Sequence, residues 1–448
     1  MVAVRRTDAL VAEIGSTTTV LSAFDGLADY PASTPHLLGQ GFAPTSVAQG
    51  DVGIGVDAAR AGLEAVIGPV DPGVMMATSS AAGGLRMTVH GLTQKMTAMA
   101  AREAALGAGG VLEHQTAGRL RDVDLEAIEE ARPGLVLLAG GVEGGDAEVV
   151  LFNARRLTEL ESRPIVVYGG NSAVAEEARA TLEAAGFAVR LTRNVYPSVD
   201  ELDIVPARHV IHDAFEEHIT RAPGMERIGE FVSGGILPTP GAVLIAAELL
   251  AAELGDLVVV DVGGATSDVH SVTDGSAEMA AISTDPQPHA KRTVEGDLGT
   301  YVSARHVAAL MPTAERPDHL PPALPETPGD IAVASALARF AAVTAVHRHA
   351  GELAYLYTPK GRQTVARGRD LTACRLVIGT GGALTRLPGG ESMLAATRAN
   401  AAGGERLLPP ADARVALDRD YVFACCGSLS SRFEHGAVVA LMRASVGM

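Results

Sequence analysis

The chain has 448 residues, room for about three structural units at ~150 residues each, and a chain this long buries most of its unfolded surface without disulfides or structural metal. Apolar residues make up 47% and charged residues 20%, which excludes wholesale disorder. A formal charge of −17, 4% aromatics and no Trp disfavour a nucleic-acid partner and sites built on stacked rings.

Three cysteines, Cys374, Cys425 and Cys426, supply neither a disulfide framework nor a CxxC pair, so a reducing cytoplasmic setting is expected. At the N-terminus, Asp8 and Glu13 interrupt the apolar stretch, which argues against a signal peptide. The uncharged run Phe231 to Ala247 holds glycines and prolines and is too short for a membrane helix, so no membrane partner is expected.

Residues 9–25 (ALVAEIGSTTTVLSAFD) predict strand, tight turn and strand, with GSTTT at the tip. Residues 51–68 and 94–108 carry Ala-rich helical periodicity. Between them, 73–92 contains TSSAAGGLRM and reads as a polar, glycine-rich loop after a short apolar run. Apolar runs at 134–142, 164–170 and 187–191 alternate with helical stretches at 146–161 and 171–186, which predicts βαβ units and a small parallel sheet. A further helix is expected at 206–220.

From Pro240 an Ala/Leu-rich helix runs to about Leu254, with Gly255 to close it. LVVVDVGGATSDVHSV then repeats the N-terminal hairpin. Glu13 falls on Asp261, Gly15 on Gly263, Thr18 on Thr266 and Thr19 on Ser267, all at an offset of 248, so the chain reads as two related halves. Residues 311–330 hold six prolines and read as an exposed loop, followed by a helix at about 331–350. RLVIGTGGALTRLP (375–388) predicts a buried strand, a glycine turn and a helix start, and EHGAVVALMRA a terminal helix.

Two hairpins with glycine and hydroxyl tips, plus one strand–GTGG–helix, suit a nucleotide clamp. Glycine lets backbone N–H groups approach phosphate oxygens, and hydroxyls add donors. The candidate ATP-binding residues are Gly15, Ser16, Thr17 and Thr18, then Gly263, Gly264, Ala265 and Thr266, then Gly379, Thr380, Gly381 and Gly382. The strand-end carboxylates Glu13 and Asp261 can hold hydrated Mg²⁺ between the halves, because Mg²⁺ takes oxygen ligands and keeps waters. No GxxxxGK signature occurs, so this is not a P-loop enzyme. Taken singly, each glycine turn is more often only a turn; order, repetition and spacing together carry the reading.

DVGGATSDVHSV resembles the second phosphate segment of the actin, Hsp70 and sugar-kinase ATPases, AEIGSTTTVLSAFD their first, and VIGTGGALTRLP their adenosine segment. PGAVLIAAEL and EHGAVVALM resemble their paired connecting helices, and EGDLGTYVSARH the segment after the second phosphate motif. The resemblance implies a two-lobe α/β fold of duplicated ribonuclease-H-like domains. The lobes would span about 1–255, with a βα-rich insertion at about 143–230, and 256–448, with the C-terminal helix at the hinge. Within that superfamily, IGSTTT, TSSAAGGLRMTVHGL and KRTVEGDLGT resemble the MutL/GlmL accessory family of glutamate mutase. That implies an ATP-dependent reactivase, with ATP and Mg²⁺ as cofactors and an adenosylcobalamin-dependent mutase as protein partner.

On that resemblance Asp261 is the candidate catalytic residue, positioning Mg²⁺ or the attacking water. Asp268 either supports the metal shell or pairs across the hairpin, and Asp297 reaches the same cleft. Two departures stand out. Glu13 replaces the usual Asp of the first motif, and Thr239 stands before Pro240 where Hsp70 proteins have Glu; both point to slow hydrolysis.

Other features read blandly. His347 and His349 are two apart on a helix and point different ways, and His209 and His212 lack an HExxH pattern. The cysteines read as small buried residues rather than cluster ligands. Arg86 has no assigned task, and Lys291 and Arg292 face either a phosphate or solvent. Asp268-Val269-His270 begins a DxHxxG cobalamin pattern, but the required glycine is missing. The alternatives are a small-molecule kinase or a hydantoinase/oxoprolinase-like enzyme on the same fold, or a non-catalytic scaffold.

Overall fold

The structure is a computed structural model that describes residues 4–81, 85–359, 361–399 and 404–448. Strands β1 (Arg5–Ile14), β2 (Thr18–Asp25) and β3 (His36–Pro44) form an antiparallel meander. The helix Val52–Ile67, capped by Asp51, returns the chain to β4 (Val70–Ser79), which lies parallel to β1. The short apolar run expected early in 73–92 is the buried end of this strand. Of the glycine-rich loop expected after it, TSSAAGGLRM, Thr78 and Ser79 still belong to β4 and Arg86 and Met87 to the next strand, while 82–84 lie outside the described residues. Pro72 and Gly73 disguise the start of a ten-residue strand whose last six residues are buried.

The chain then leaves this sheet. Strands β5 (Arg86–Gly91), β6 (Val111–Ala117), β7 (Leu135–Leu138), β8 (Ile165–Tyr168) and β9 (Val189–Leu191) build an all-parallel sheet in the order β6-β5-β7-β8-β9. Helices Thr97–Gly107 and Val205–Ile219 cover its inner face; Asp122–Ala131, Glu148–Leu157 and Ala175–Ala184 cover the outer one. This is the small parallel sheet expected from the βαβ alternation, but it begins at Arg86, well upstream of residue 143. β10 (Ile236–Pro238) rejoins the first sheet beside β4.

The second lobe repeats the first. β11 (Leu257–Val262), β12 (Ser267–Val272) and β13 (Ala290–Glu295) are an antiparallel meander. The exposed hairpin β14 (Glu352–Thr358) and β15 (Gly361–Arg367) projects before β16 (Leu376–Thr380) and β17 (Arg414–Leu417) run parallel to β11. The two lobe sheets read β3-β2-β1-β4-β10 and β13-β12-β11-β16-β17, with the same strand directions at each place. The fold is thus a duplicated ribonuclease-H-like, actin-like architecture.

Burial on both sheet faces explains why β1 and β11 read as continuous apolar runs rather than alternating ones. Leu10, Ala12 and Ile14 face a core shared with the inserted unit, and Val258, Val260 and Val262 face the second lobe's own core. Ala9 and Val11 share a third core with Leu257 and Val259, so this one joins the lobes. That joint is built on the helix Thr239–Leu254, which ends at Gly255 with φ 82°. The expected companion, the terminal helix His435–Ser445, packs in the same core. The closest approach is made by an unforeseen helix, Phe423–Leu429: a Cβ on Gly427 would lie 1.9 Å from the Ala242 carbonyl oxygen.

By length and composition Pro328–His349 is the one helix among the described residues apolar enough to cross a membrane. Here its Leu337, Ala338, Ala341, Ala342, Ala345 and Val346 fill the second lobe's core.

Candidate functional site

The two hairpin tips adopt the same turn. Gly15 N–H donates to Thr18 O at 3.0 Å, and Gly263 N–H donates to Thr266 O at 2.9 Å, at the offset of 248 residues. Glu13 and Asp261 end the leading strands, with Glu13 opposite Val20 and Asp261 opposite Asp268. The turn N–H groups of Ser16, Thr17, Gly264 and Ala265 find no acceptor among the described residues, so each tip presents free donors. Thr45 braces the first tip through Gly15 O, at 2.8 Å. The second is held from behind, where Gly264 O accepts the N–H groups of Tyr301 and Val302, both at 2.8 Å.

The adenosine-type turn closes on the second hairpin. Thr380 pairs with Asp261 in the parallel ladder. Gly381 has φ 82°, and a Cβ there would lie 2.2 Å from Asp261 Oδ1 and 2.7 Å from Val262 O, so only glycine fits. Gly379 lies one step earlier, and Gly382 opens the short helix Gly382–Thr385.

Residues missed by the sequence reading complete the cluster. Asp418 is fully buried and accepts from Thr380 Oγ1 (2.9 Å), Ser445 Oγ (2.6 Å) and the N–H groups of Val422 and Phe423. It ends the apolar run of β17 as Asp261 nearly ends β11, a signal that was readable. Tyr421, with φ 53°, donates its hydroxyl to Glu13 Oε1 at 2.6 Å across the two lobes, a contact with no local sequence signal. The Arg386 guanidinium lies over the rings of Phe42 (4.5 Å) and Tyr421 (5.9 Å), and Gln40 donates to Asp420 O.

The site is rich in crowded acids. Burial pushes Glu13 up to about 7; the Tyr421 hydrogen bond opposes this, and Asp418 adds to it. Asp261 is pushed well above the ordinary carboxylate range, first by burial and then by Asp268, Glu13 and Asp418. Burial also raises Asp418, against its four donors. Asp268 is engaged by Arg292, whose Nε donates to Oδ1 at 2.7 Å.

Arg292 and Lys291 are not a solvated pair. Arg292 is 2% exposed, and Lys291 meets Glu103 of the inserted unit at 3.1 Å. Asp297 does not join the cluster: Arg348 grips both its oxygens, at 2.7 and 3.0 Å, and holds it below the usual range. Arg86 pairs with Glu113. His349 is buried between Ser271 and Thr293, and the three cysteines are buried and free. Of TSSAAGGLRM, Ala82, Gly83 and Gly84 lie outside the described residues. Ser80 and Ala81 donate to Ile14 O, which puts the segment's start against the first tip.

The donor set fits a hydrated divalent cation. Glu13, Asp261 and Asp418 repel one another in a buried place, and a cation would relieve that repulsion. Among the described residues no three His, Cys, Asp or Glu side chains form a direct-ligand group, so such an ion would be held through water.

A family model described as MutL protein matches residues 9–446. Protein MutL of Clostridium tetanomorphum is 36% identical over 389 residues, 81% of this chain and 84% of that protein. Among solved structures, nucleotide-free acetone carboxylase aligns with 95% of this chain and 70% of its own at 12% identity, TM-score 0.36. A carbohydrate kinase from Novosphingobium aromaticivorans aligns with 95% and 91% at 12% identity, TM-score 0.28. The PilM-PilN type IV pilus biogenesis complex aligns with 99% of both chains at 13% identity, TM-score 0.26. The fold assignment rests on the strand orders, not on these superpositions.

Proposed function

This chain belongs to the MutL protein family, and from that membership we propose that it is an ATP-dependent reactivating factor for an adenosylcobalamin-dependent mutase of the glutamate mutase type. The observation that carries the reading is convergence. Three glycine turns from distant parts of the chain border one cluster of buried carboxylates between two sheets of the same topology.

In this reading ATP bridges the lobes, about 1–255 and 256–448. Within Gly15–Thr18 and Gly263–Thr266 the free N–H groups of Ser16, Thr17, Gly264 and Ala265 receive the phosphates, and Gly379–Gly382 seat the adenosine end. Glu13 and Asp261, with Asp268 behind them, are the residues that would hold a hydrated magnesium ion, which would neutralise charge on the phosphates. Asp261 orients the attacking water. Once hydrolysis removes the γ-phosphate, nothing ties the two tips and the lobes separate about the Thr239–Leu254 helix. The opening acts on the partner, so that damaged cobalamin leaves and intact cofactor enters. Turnover is slow, because Glu13 replaces a shorter acid and is held by Tyr421. Three buried thiols suit a reducing cytoplasm.

The test is equilibrium binding and hydrolysis of Mg-ATP by the purified chain. Micromolar binding with slow hydrolysis supports the reading. No nucleotide binding at any magnesium concentration overturns it.

A further inference from the structure

Arg292 has a side chain 1% exposed, and a buried guanidinium persists only when paired and fully hydrogen-bonded. Its partners come from two places. Nε donates to Asp268 Oδ1, with Nη2 2.5 Å from the same oxygen. Nη1 donates to Leu106 O and Gly110 O, both at 3.0 Å. Asp268 sits directly across the ladder from Asp261. Leu106 lies in the last turn of the Thr97–Gly107 helix, so its carbonyl belongs to the negative end of that helix, and Gly110 lies in the short connection from the helix to β6. The neighbouring Lys291 meets Glu103 on the same helix. Two consecutive residues of β13 thus hold one helix of the insertion, and one of them also holds the carboxylate that faces Asp261.

We propose that Arg292 is a positioning residue that couples the second phosphate hairpin to the inserted unit, so that nucleotide at Gly263–Thr266 alters how firmly the Thr97–Gly107 helix is held. This rests on the ATP reading of the site. Arginine suits the task because its planar fork reaches a carboxylate and two carbonyls at once. Lysine keeps the charge but cannot bridge three acceptors in that geometry. When charge arrives beside Asp261 and Asp268, the share of the guanidinium drawn to Asp268 changes, and the two carbonyls feel the difference.

The experiment is amide hydrogen exchange over residues 97–110 in the full chain, with and without Mg-ATP and with a non-hydrolysable analogue. The parent is expected to show a nucleotide-dependent change there. Arg292→Lys is expected to bind Mg-ATP and lose that change, whereas a purely structural arginine would raise exchange equally in both states and leave the difference intact. Lys291→Met with Glu103→Gln cuts the neighbouring tie to the same helix, leaves Arg292 and Asp268 in place, and is expected to keep the nucleotide-dependent change; loss of the change there would overturn the assignment to Arg292. The proposal is overturned if Arg292→Lys retains the full nucleotide-dependent difference, or if the parent binds Mg-ATP with no change over 97–110; in either case the ATP reading stands. Absence of nucleotide binding would remove both.

Discussion

Glu13→Gln is expected to make the nucleotide-free protein more stable while impairing its chemistry. Burial raises the Glu13 pKa from 4.5 to about 7, so the native state holds this proton more tightly than the unfolded chain does. Stability is therefore undiminished below the unfolded value, falls as pH rises through the window from 4.5 to about 7, and levels off above it. The ionised group costs about 3 kcal/mol at pH 8.5 and under about 1 kcal/mol at pH 5, by the linkage of pKa to stability. Glutamine matches the shape, keeps a partner for Tyr421 and carries no charge. Denaturant unfolding without magnesium should show a gain of about that size at pH 8.5, and little gain at pH 5. Adding Mg-ATP should shrink the advantage, because the cation stabilises the ionised parent and the variant lacks the charge to hold it. An equal gain at both pH values, or none at pH 8.5, would refute the electrostatic argument.

Tyr421→Phe removes the hydroxyl that joins the lobes at Glu13, and at pH 8.5 should cost about 1.5–3 kcal/mol, the range for a hydrogen bond to a charged group, with a smaller loss at pH 5. Gly381→Ala forces a left-handed residue against Asp261 and Val262. A loss of about 2–4 kcal/mol from strain and overpacking is expected in unfolding experiments, with ATP affinity lost in a binding titration. Arg208→Met strips Glu248 on the hinge helix of a partner at 2.6 Å. Because Glu248 is partly solvated, the loss should be about 1.5–3 kcal/mol, the range for hydrogen bonds to a charged group, and Arg208→Met with Glu248→Gln should restore part of it.

Much of this was legible in the residues because turns and buried strands leave strong local marks. Glycine and hydroxyls after an apolar run fixed both hairpins, and the 248-residue offset holds down to the single hydrogen bond that closes each tip. The GTGG turn was readable because a positive φ against a packed neighbour admits only glycine. Long-range pairings left no such mark. Nothing near Tyr421 reports that its hydroxyl meets Glu13, 408 positions away, and nothing near Arg292 reports that its charge is buried. Lys291-Arg292 looks like a solvated pair because such pairs usually are. β4 shows in the sequence only as a short apolar run, because proline and glycine interrupt its start and Thr78-Ser79 at its end look like the loop that follows. The inserted sheet was placed late because its first strand, RMTVHG, alternates too briefly to register.

The most direct test of the account is recovery of an adenosylcobalamin-dependent mutase inactivated by damaged cobalamin, measured with fresh cofactor and this chain. The account predicts that recovery requires hydrolysable ATP and magnesium, and that Asp261→Ala abolishes it while leaving the chain folded. Recovery that proceeds without ATP, or that survives undiminished in Asp261→Ala, would contradict it.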